Sequence, residues 1–259
     1  MILFQAEDIS VRFGGIRAVD SVSFDVHHGE VFCIIGPNGA GKTTIFNLIS
    51  RIYSTTSGRL MFEGKEFTHT PPNRIAGMGI ARTFQNIELF PNATLLQNLL
   101  IGRHCHAKVG MLSQMAFLPS VRREELRHRE KAEDVIAFLG LQRYRDSLIA
   151  NLPYGVRKVV ELGRALCTEP KLLLLDEPSS GLNVEETEGM GFWIEDIKKD
   201  LGTTVIMVEH DMSLVNQVSD RVMALNYGKV IATGSPAEVQ SHPEVIKAYL
   251  GSEDLEDAA

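Results

Sequence analysis

The stretch Gly36-Pro37-Asn38-Gly39-Ala40-Gly41-Lys42-Thr43-Thr44 follows a short apolar run, Val31 to Ile35. It matches G-x-x-x-x-G-K-[ST], the pattern of a phosphate-binding loop, or P-loop. Its glycines let backbone N–H groups converge on a polyphosphate, and the following helix N-terminus adds a favourable dipole. Lys42 would neutralise the β- and γ-phosphates, and the Thr43 hydroxyl would ligate Mg²⁺. The sequence therefore predicts that the whole stretch, Gly36 to Thr44, binds a nucleotide.

The composition is that of a globular protein with enough length for a sizeable core. Of its 259 residues, 44% are hydrophobic and 23% are charged, and the formal net charge is −7. The acidic balance argues against a general nucleic-acid-binding protein. Cys33, Cys105 and Cys167 have no paired spacing, which predicts buried thiols in a reducing compartment rather than disulfides.

The sequence carries no pattern for secretion or membrane insertion. Residues 1–8 lack the charged region and apolar core of a signal peptide. No apolar run approaches the roughly 18 residues that a membrane-spanning helix needs. We therefore expect any membrane role to be exercised through a partner protein.

The order of the predicted elements indicates an α/β fold. Residues 1–30 alternate apolar and polar side chains as antiparallel strands do, and residues 58–67 are again rich in strand-forming residues. A helix is predicted from Lys42 to Ile52. Continuous apolar runs predict buried parallel strands separated by helices. These runs cover residues 31–35, 171–176 and 203–210.

The segment from 95 to 152 differs from its surroundings in its helical periodicity. Its charged run, residues 122–131, indicates a solvated helix face with i,i+4 pairs. We therefore predict a RecA-like P-loop ATPase core, residues 1–94 and 153–250, with an N-terminal antiparallel β-subdomain. The helical subdomain, 95–152, is inserted into this core, and residues 251–259 form a frayed acidic tail.

A strand of four leucines ends in Asp176-Glu177-Pro178 and carries the second half of the predicted site. The strand delivers Asp176 to its C-terminal end, where carboxylates in this architecture meet Mg²⁺ beside the P-loop. Glu177 is the adjacent acid and would polarise an attacking water. An ordinary acidic turn would explain this segment alone, but explains it poorly once a P-loop is present in the same chain.

The ordered set of motifs resembles the ATP-binding subunit of an ABC transporter. In that family an aromatic residue upstream of the P-loop stacks on adenine, and Phe13 occupies the matching place. The family's Q-loop glutamine, which contacts nucleotide and metal, corresponds to Gln85, and its switch histidine corresponds to His210. The resemblance implies the ABC ATPase fold, ATP and Mg²⁺ as cofactors, and Glu177, His210 and Lys42 as catalytic residues.

The family's signature, usually Leu-Ser-Gly-Gly-Gln, corresponds here to residues 152–156, Leu-Pro-Tyr-Gly-Val. The family serine donates to the γ-phosphate held by the opposing subunit, whereas Pro153 has neither a hydroxyl nor a backbone N–H. Tyr154 and Gly155 stay the candidates for contacting that nucleotide. Losing one charge-assisted hydrogen bond costs about 1.5–3 kcal/mol, so we expect a weakened contact.

Several segments narrow the resemblance to the LivG-type ATPase of branched-chain amino acid importers. They are residues 81–91, the helical insert beginning at Gly102, and residues 225–229, 234–239 and 248–251. The resemblance implies an ATP-driven dimer on the cytoplasmic face of the bacterial inner membrane. Its partners would be permease subunits, a second ABC ATPase and, indirectly, a periplasmic solute-binding protein, with no nucleic acid. The transported solute is not encoded in such an ATPase.

The family's D-loop, which follows Glu177, corresponds to residues 179–183 and ends in Asn183 where an aspartate is usual. Asn183 and Pro153 both lie at the expected dimer contact. This raises the hypothesis that the working dimer is a heterodimer with a second, similar ATPase.

Two other functions fit the family. One is a soluble ABC ATPase that acts on nucleic acid or ribosomes, against which the single cassette and the acidic balance argue. The other is an exporter ATPase for lipid or lipopolysaccharide, against which the long helical insert argues. Residues 104–106, His-Cys-His, suggest a metal site, but adjacent ligands are poorly placed to share one ion, and we interpret them as structural.

Overall fold

The computed structural model describes residues 1–107 and 119–256. The strands are β1 (Ile2–Phe13), β2 (Ile16–His27), β3 (Val31–Ile35), β4 (Ser57–Phe62), β5 (Lys65–Glu66), β6 (Ile80–Arg82), β7 (Leu172–Asp176), β8 (Thr204–Val208), β9 (Arg221–Asn226) and β10 (Lys229–Gly234). The helices are α1 (Lys42–Ile49), α2 (Leu95–Gly102), α3 (Pro119–Phe138), α4 (Tyr154–Leu166), α5 (Val184–Asp200), α6 (Met212–Val218), α7 (Pro236–Gln240) and α8 (Pro243–Glu256).

The central sheet has the strand order β10-β9-β3-β8-β7-β6 and is parallel except for its edge strand β10. Successive side chains of a strand point to opposite faces. In β7, Leu173 and Leu175 therefore enter one hydrophobic core, whereas Leu172 and Leu174 enter a second core on the other face. Burial on both faces explains the continuous apolar runs, and the predicted parallel strands are confirmed.

The second sheet is antiparallel, with the order β2-β1-β4-β5. It shares the second core with α1 and with one face of the central sheet. Ile45, Phe46, Leu48 and Ile49 on α1 are fully buried there. The strands predicted in residues 1–30 are confirmed, and the P-loop helix lies between the two sheets.

The chain between β6 and β7 is mainly helical in its described part. Thr94 begins α2 with a capping box: its side chain accepts from the backbone N–H of Gln97, and Gln97 Oε1 accepts from the backbone N–H of Thr94. On α3, Ala132 and Ile136 are buried, while its charged run is mostly exposed or half-buried. The predicted solvated helix is confirmed.

Four local predictions differ from the structure. The helix after the P-loop ends at Ile49 rather than Ile52, because Arg51 adopts a left-handed backbone with φ +60°. The strand predicted to reach His210 ends at Val208, since the next two residues leave the sheet. The helix α8 continues through Glu256, so fraying does not begin at residue 251. Cys33 and Cys167 are buried as predicted, but Cys105 is only partly buried.

The His-Cys-His stretch lies in a 3₁₀ turn, Arg103–His106. His106 Nε2 lies 2.8 Å from the carbonyl oxygen of Thr168. Within residues 1–107 and 119–256, no three His, Cys, Asp or Glu side chains are grouped to hold a metal ion. In the same part of the chain, no helix combines the length and apolar character needed to cross a bilayer.

Candidate nucleotide-binding site

The P-loop begins where β3 ends, and two of its glycines are required by close backbone contacts. Gly36 has φ +151°, and a Cβ there would lie 2.3 Å from the carbonyl oxygen of Leu225. Gly41 has φ +106°, and a Cβ there would lie 2.5 Å from the carbonyl oxygen of Ala18 on β2. The loop backbone is therefore packed in place by neighbouring strands of both sheets.

Lys42 is the buried cation of this loop. Its Nζ donates to the carbonyl oxygens of Gly36 at 2.7 Å and Pro37 at 3.1 Å. Burial lowers the pKa of its ammonium group, and the nearby carboxylates of Glu177 and Asp176 act in the opposite direction. The ammonium thus lies between the loop carbonyls and two acids, where phosphate oxygens would be better acceptors than carbonyls.

An open cleft of about 900 Å³ lies at the carboxyl ends of the parallel strands. The predicted residues that line it are Gly36, Pro37, Asn38, Gly39, Ala40, Gln85, Glu177 and His210. Thr43, exposed, and Thr44, half-buried, occupy the first turn of α1 directly after the loop. The structure thus brings residues from four separated segments of the sequence to one space.

Gln85 and Glu177 contact each other across this cleft. Gln85 Nε2 donates to Glu177 Oε2 at 2.8 Å. Glu177 has φ +49°, which is uncommon for a residue other than glycine. Its backbone N–H donates to the carbonyl oxygen of Val208 on β8. The bent backbone is therefore fixed to the sheet while the carboxylate lines the cleft.

Asp176 is the last residue of β7, and its side chain is only 2% exposed. One of its oxygens, Oδ2, accepts from Arg82 Nη2 at 2.7 Å. The other oxygen, Oδ1, is buried and has no hydrogen-bond partner among the described residues. An unpaired buried carboxylate oxygen is costly unless a cation or water completes it, so this atom fits a bound Mg²⁺.

The switch region is organised by Glu209, the fully buried residue before His210. Its Oε1 accepts from the backbone N–H of Ser179, and its Oε2 accepts from those of His210 and Asp211. The His210 side chain itself is 60% exposed. One buried carboxylate thus connects the loop after Glu177 to the loop that presents His210 to the cleft.

Phe13 lies outside the set of described residues that line the cleft. It is 45% exposed at the end of β1, and its ring packs edge-on against Tyr53, with ring centroids 5.0 Å apart. The β1–β2 hairpin that carries it also supplies Ala18, whose carbonyl oxygen packs against Gly41. The hairpin therefore presents an exposed aromatic ring beside Tyr53, which follows α1, while Ala18 of the same hairpin packs against the P-loop.

The signature and the D-loop contact each other within the chain, and we name residues 153–155 and 179–183 together the signature–D-loop surface. Pro153 is the N-cap of α4 and is exposed. The Tyr154 hydroxyl donates to the carbonyl oxygen of Ser180 at 3.3 Å. A Cβ on Gly155 would lie 2.2 Å from Glu186 Oε1. In this chain Tyr154 and Gly155 therefore contact the D-loop and α5, outside the described lining of the P-loop cleft.

The helix that follows the signature is tied to the Q-loop. Lys158 Nζ donates to the carbonyl oxygen of Gln85 at 3.0 Å, and Glu161 Oε1 lies 3.4 Å from the backbone nitrogen of Phe84. Both charged side chains are buried. Burial lowers the pKa of Lys158 and raises the pKa of Glu161. A displacement of α4 would therefore be transmitted to Gln85.

The C-terminal helix α8 forms another wall of the cleft. Its residues Glu244, Lys247, Ala248 and Tyr249 line the same space as the P-loop. Tyr249 lies against the backbone of Gly36, and burial raises the pKa of its phenol. The end of the chain thus packs on the beginning of the P-loop.

The sequence interpretation missed Arg82, Lys158, Glu161 and Glu209. Each is a charged residue that interrupts or ends an apolar segment of the sequence. Charged side chains are almost never fully buried unless they are paired. That rule, applied to charges inside predicted core elements, is the signal that would have identified them.

Comparisons with known proteins place the chain in a family. A family model described as "ABC transporter" matches residues 19–180. A second, described as "Branched-chain amino acid ATP-binding cassette transporter", matches residues 229–254. The chain belongs to the ABC transporter family. The predicted family, the ABC ATPase fold and nucleotide binding are thereby confirmed.

The proteins that resemble the chain along almost its whole length include ATP-binding proteins of branched-chain amino acid transport. LivG of Escherichia coli K12, a high-affinity branched-chain amino acid transport ATP-binding protein, is 37% identical over 96% of this chain and 98% of its own length. The corresponding BraF of Pseudomonas aeruginosa is also 37% identical, with the same coverage of both chains. A probable LivG of the archaeon Archaeoglobus fulgidus is 36% identical over 99% of this chain and 98% of its own.

Solved structures of ABC cassettes agree with the fold. A nucleotide-free ATP-binding cassette from an ABC transporter has a TM-score of 0.84 and 33% identity, over 96% of this chain and 99% of that one. A cassette in its ADP conformation has a TM-score of 0.85 and 34% identity, over 97% and 99% of the two chains.

Proposed function

We propose that the chain is the ATP-hydrolysing subunit of an ABC importer for branched-chain amino acids or a related small solute. The observation that carries the ATPase assignment is the single cleft shared by the P-loop, Gln85, Glu177 and His210. The solute class is supported by the names of the relatives and by the C-terminal match at residues 229–254.

Nucleotide binding is assigned to the P-loop and to Phe13. Backbone N–H groups of Gly36 and of residues 38–41, together with the N-terminus of α1, face the polyphosphate beside Pro37, with Thr44 in the same first turn. Lys42 exchanges its bonds to the loop carbonyls for phosphate oxygens, and the exposed ring of Phe13 stacks on adenine. Tyr154 and Gly155 contact the nucleotide of a second subunit.

The residues present fit Mg²⁺. Asp176 offers a buried oxygen without a described partner, and Thr43 and Gln85 add a hydroxyl and an amide oxygen. Oxygen atoms of this kind are the ligands that Mg²⁺ prefers. When bound, the ion neutralises charge that develops on the transferred phosphoryl group.

Glu177 is the proposed general base, and it takes a proton from the water that attacks the γ-phosphate. Its hydrogen bond to Gln85 holds the carboxylate at the cleft. His210 and Lys42 stabilise the negative charge that accumulates on the phosphoryl oxygens. Because Lys158 bonds the carbonyl group of Gln85, a change at the γ-phosphate is transmitted to α4.

The proposed assembly is a dimer of ABC ATPases docked on permease subunits at the cytoplasmic face of the plasma membrane, with a solute-binding protein as an indirect partner. The exposed members of the signature–D-loop surface, which are Pro153, Tyr154, Gly181 and Asn183, support pairing with a second ATPase. Pro153 lacks the serine hydroxyl, so a heterodimer with a similar ATPase is the favoured form.

Uptake of radiolabelled leucine, isoleucine and valine by cells that lack the gene tests the proposal. We expect uptake to fall to background, to be restored by the unsubstituted chain, and not to be restored by Glu177→Gln. Glu185→Gln, an exposed acid on α5, is the matched control and should restore uptake. Normal uptake of all three amino acids in the deletion strain would contradict the solute class.

A further inference from the structure

Arg82 is a nearly buried cation that connects three parts of the site. It is the last residue of β6, three positions before Gln85, and its side chain is 8% exposed. Its Nη2 donates to Asp176 Oδ2 at 2.7 Å. Its Nη1 donates to Asn47 Oδ1 at 2.7 Å and to Ser50 Oγ at 3.2 Å. Asn47 and Ser50 belong to the end of α1, the helix that begins with the P-loop lysine.

Two aromatic rings flank the guanidinium group of Arg82. Its central carbon lies 5.5 Å from the ring centroid of Phe46 on α1 and 5.1 Å from that of Phe84 beside Gln85. Contacts of this kind with an arginine are attractive and depend on orientation. Arg82 is therefore enclosed by α1 on one side and by the residue beside Gln85 on the other, with its two Nη atoms hydrogen-bonded and its buried Nε without a partner among the described residues.

This position of Arg82 leaves the two oxygens of Asp176 in different environments. Oδ2 is held by Arg82, whereas Oδ1 is buried and has no hydrogen-bond partner among the described residues. A buried ion pair contributes little net stability, because desolvation offsets the attraction. A gain in stability therefore explains poorly why an arginine stands at position 82. The geometry of the ion pair, in contrast, directly leaves Asp176 Oδ1 pointing in a fixed direction.

We propose that Arg82 is a positioning residue for the magnesium site, and that it orients Asp176 so that Oδ1 serves the ion. Arg82 does not touch nucleotide or metal; it acts through Asp176. This inference rests on the proposed ATPase function and extends it to a residue outside the recognised motifs. Its contacts with α1 and Phe84 further couple the orientation of Asp176 to the P-loop helix and the Q-loop.

The test measures ATP binding by calorimetry as Mg²⁺ is varied, in the Glu177→Gln background that blocks hydrolysis. For Arg82→Met we expect ATP affinity in EDTA to change less than about two-fold. The Mg²⁺ concentration that gives half of the magnesium-dependent gain in ATP affinity should rise roughly ten-fold or more, as for other residues that orient metal ligands. The Mg²⁺ concentration required by Arg82→Lys should lie between the values for the unsubstituted residue and for Arg82→Met. Arg59→Met, at an exposed arginine on β4, is the control and should change neither value.

A second variant tests the proposal even if Arg82→Met does not fold. Asn47→Ala combined with Ser50→Ala keeps the Arg82–Asp176 pair but removes its anchors on α1, and should raise the Mg²⁺ requirement by a smaller factor. An unchanged requirement in both variants, or an equal loss of affinity with Mg²⁺ and with EDTA, would overturn the inference. If the unsubstituted chain binds no ATP, the proposed function fails instead.

Discussion

The P-loop cleft and the signature–D-loop surface differ in what one chain supplies. In the cleft, Lys42, Gln85 and Glu177 are already held by hydrogen bonds that each makes to the loop or to another site residue. At the signature–D-loop surface, Pro153 is exposed and offers no donor, and Tyr154 bonds the chain's own D-loop. The first region is organised for nucleotide within one chain, whereas the second presents an outer surface.

This difference suggests that the two regions act on different nucleotides. Under the proposed function, the cleft binds nucleotide within one chain, and the outward-facing surface acts on the nucleotide of another subunit. The connection between them is α4, because its residues Lys158 and Glu161 contact the Q-loop backbone.

The largest effect is expected for Glu177→Gln. Removal of a general base lowers the rate of hydrolysis by roughly 10²–10⁴-fold, while ATP affinity should stay within about three-fold, since the substituted residue is not part of the P-loop. Phosphate release and equilibrium binding measure the two quantities. Glu185→Gln is the control, and a loss of hydrolysis below ten-fold would remove Glu177 from the proposed role.

The next largest effect is expected for Pro153→Ser, which restores the family hydroxyl at the signature. One charge-assisted hydrogen bond is worth about 1.5–3 kcal/mol, so ATP-dependent dimerisation should tighten roughly ten-fold or more. Light scattering of Glu177→Gln protein in Mg-ATP, with and without the Pro153→Ser substitution, measures the dimerisation constant. Pro72→Ser, at another exposed proline, is the control. An unchanged dimerisation constant would show that residue 153 does not meet the partner's nucleotide.

A smaller effect is expected for Gly155→Ala. Its Cβ would lie 2.2 Å from Glu186 Oε1, and Glu186 is held by a capping box with Asn183 at the start of α5. Displacing that carboxylate should cost about 1 kcal/mol of the free energy of unfolding, the usual cost of a lost cap. Gly189→Ala on α5, where a Cβ meets no atom within 4 Å, should be neutral or stabilising in the same urea titrations.

The structure shows which of these residues a sequence can identify. Phosphate-binding chemistry singled out residues 36–44, Asp176 and Glu177, and the family resemblance added His210; the structure brings Gly36, Glu177 and His210 to one cleft, and their roles stay predictions. For Arg82 and Glu209 the sequence can indicate a buried charge at the end of an apolar segment, but not the partner, because their contacts join segments that are distant in sequence. The packing of α8 on the P-loop was equally hidden, since nothing in the periodicity of a C-terminal helix specifies where it docks.

The smallest effect is expected for the pH dependence of stability that comes from Glu161 on α4, the helix that connects the two regions. Burial raises the pKa of Glu161, so its contribution to stability is present below the ordinary glutamate pKa and is lost as the pH rises through the raised value. Glu161→Gln cannot ionise, so its free energy of unfolding relative to that of the unsubstituted chain should rise as the pH increases from the ordinary glutamate pKa of about 4.3 towards neutral pH. Urea midpoints compared with those of the exposed control Glu188→Gln measure it, and a constant difference across this range would contradict the assignment.

The most direct test of the central claim is the stoichiometry of ATP binding to isolated monomers. Calorimetry on Glu177→Gln protein, at a concentration where light scattering reports a monomer, should give one Mg-ATP per chain. The same binding should be lost in Lys42→Ala and kept in Lys65→Ala, an exposed lysine on β5. Binding that appears only when the chain is dimeric, or that survives Lys42→Ala, would contradict a cleft organised within a single chain.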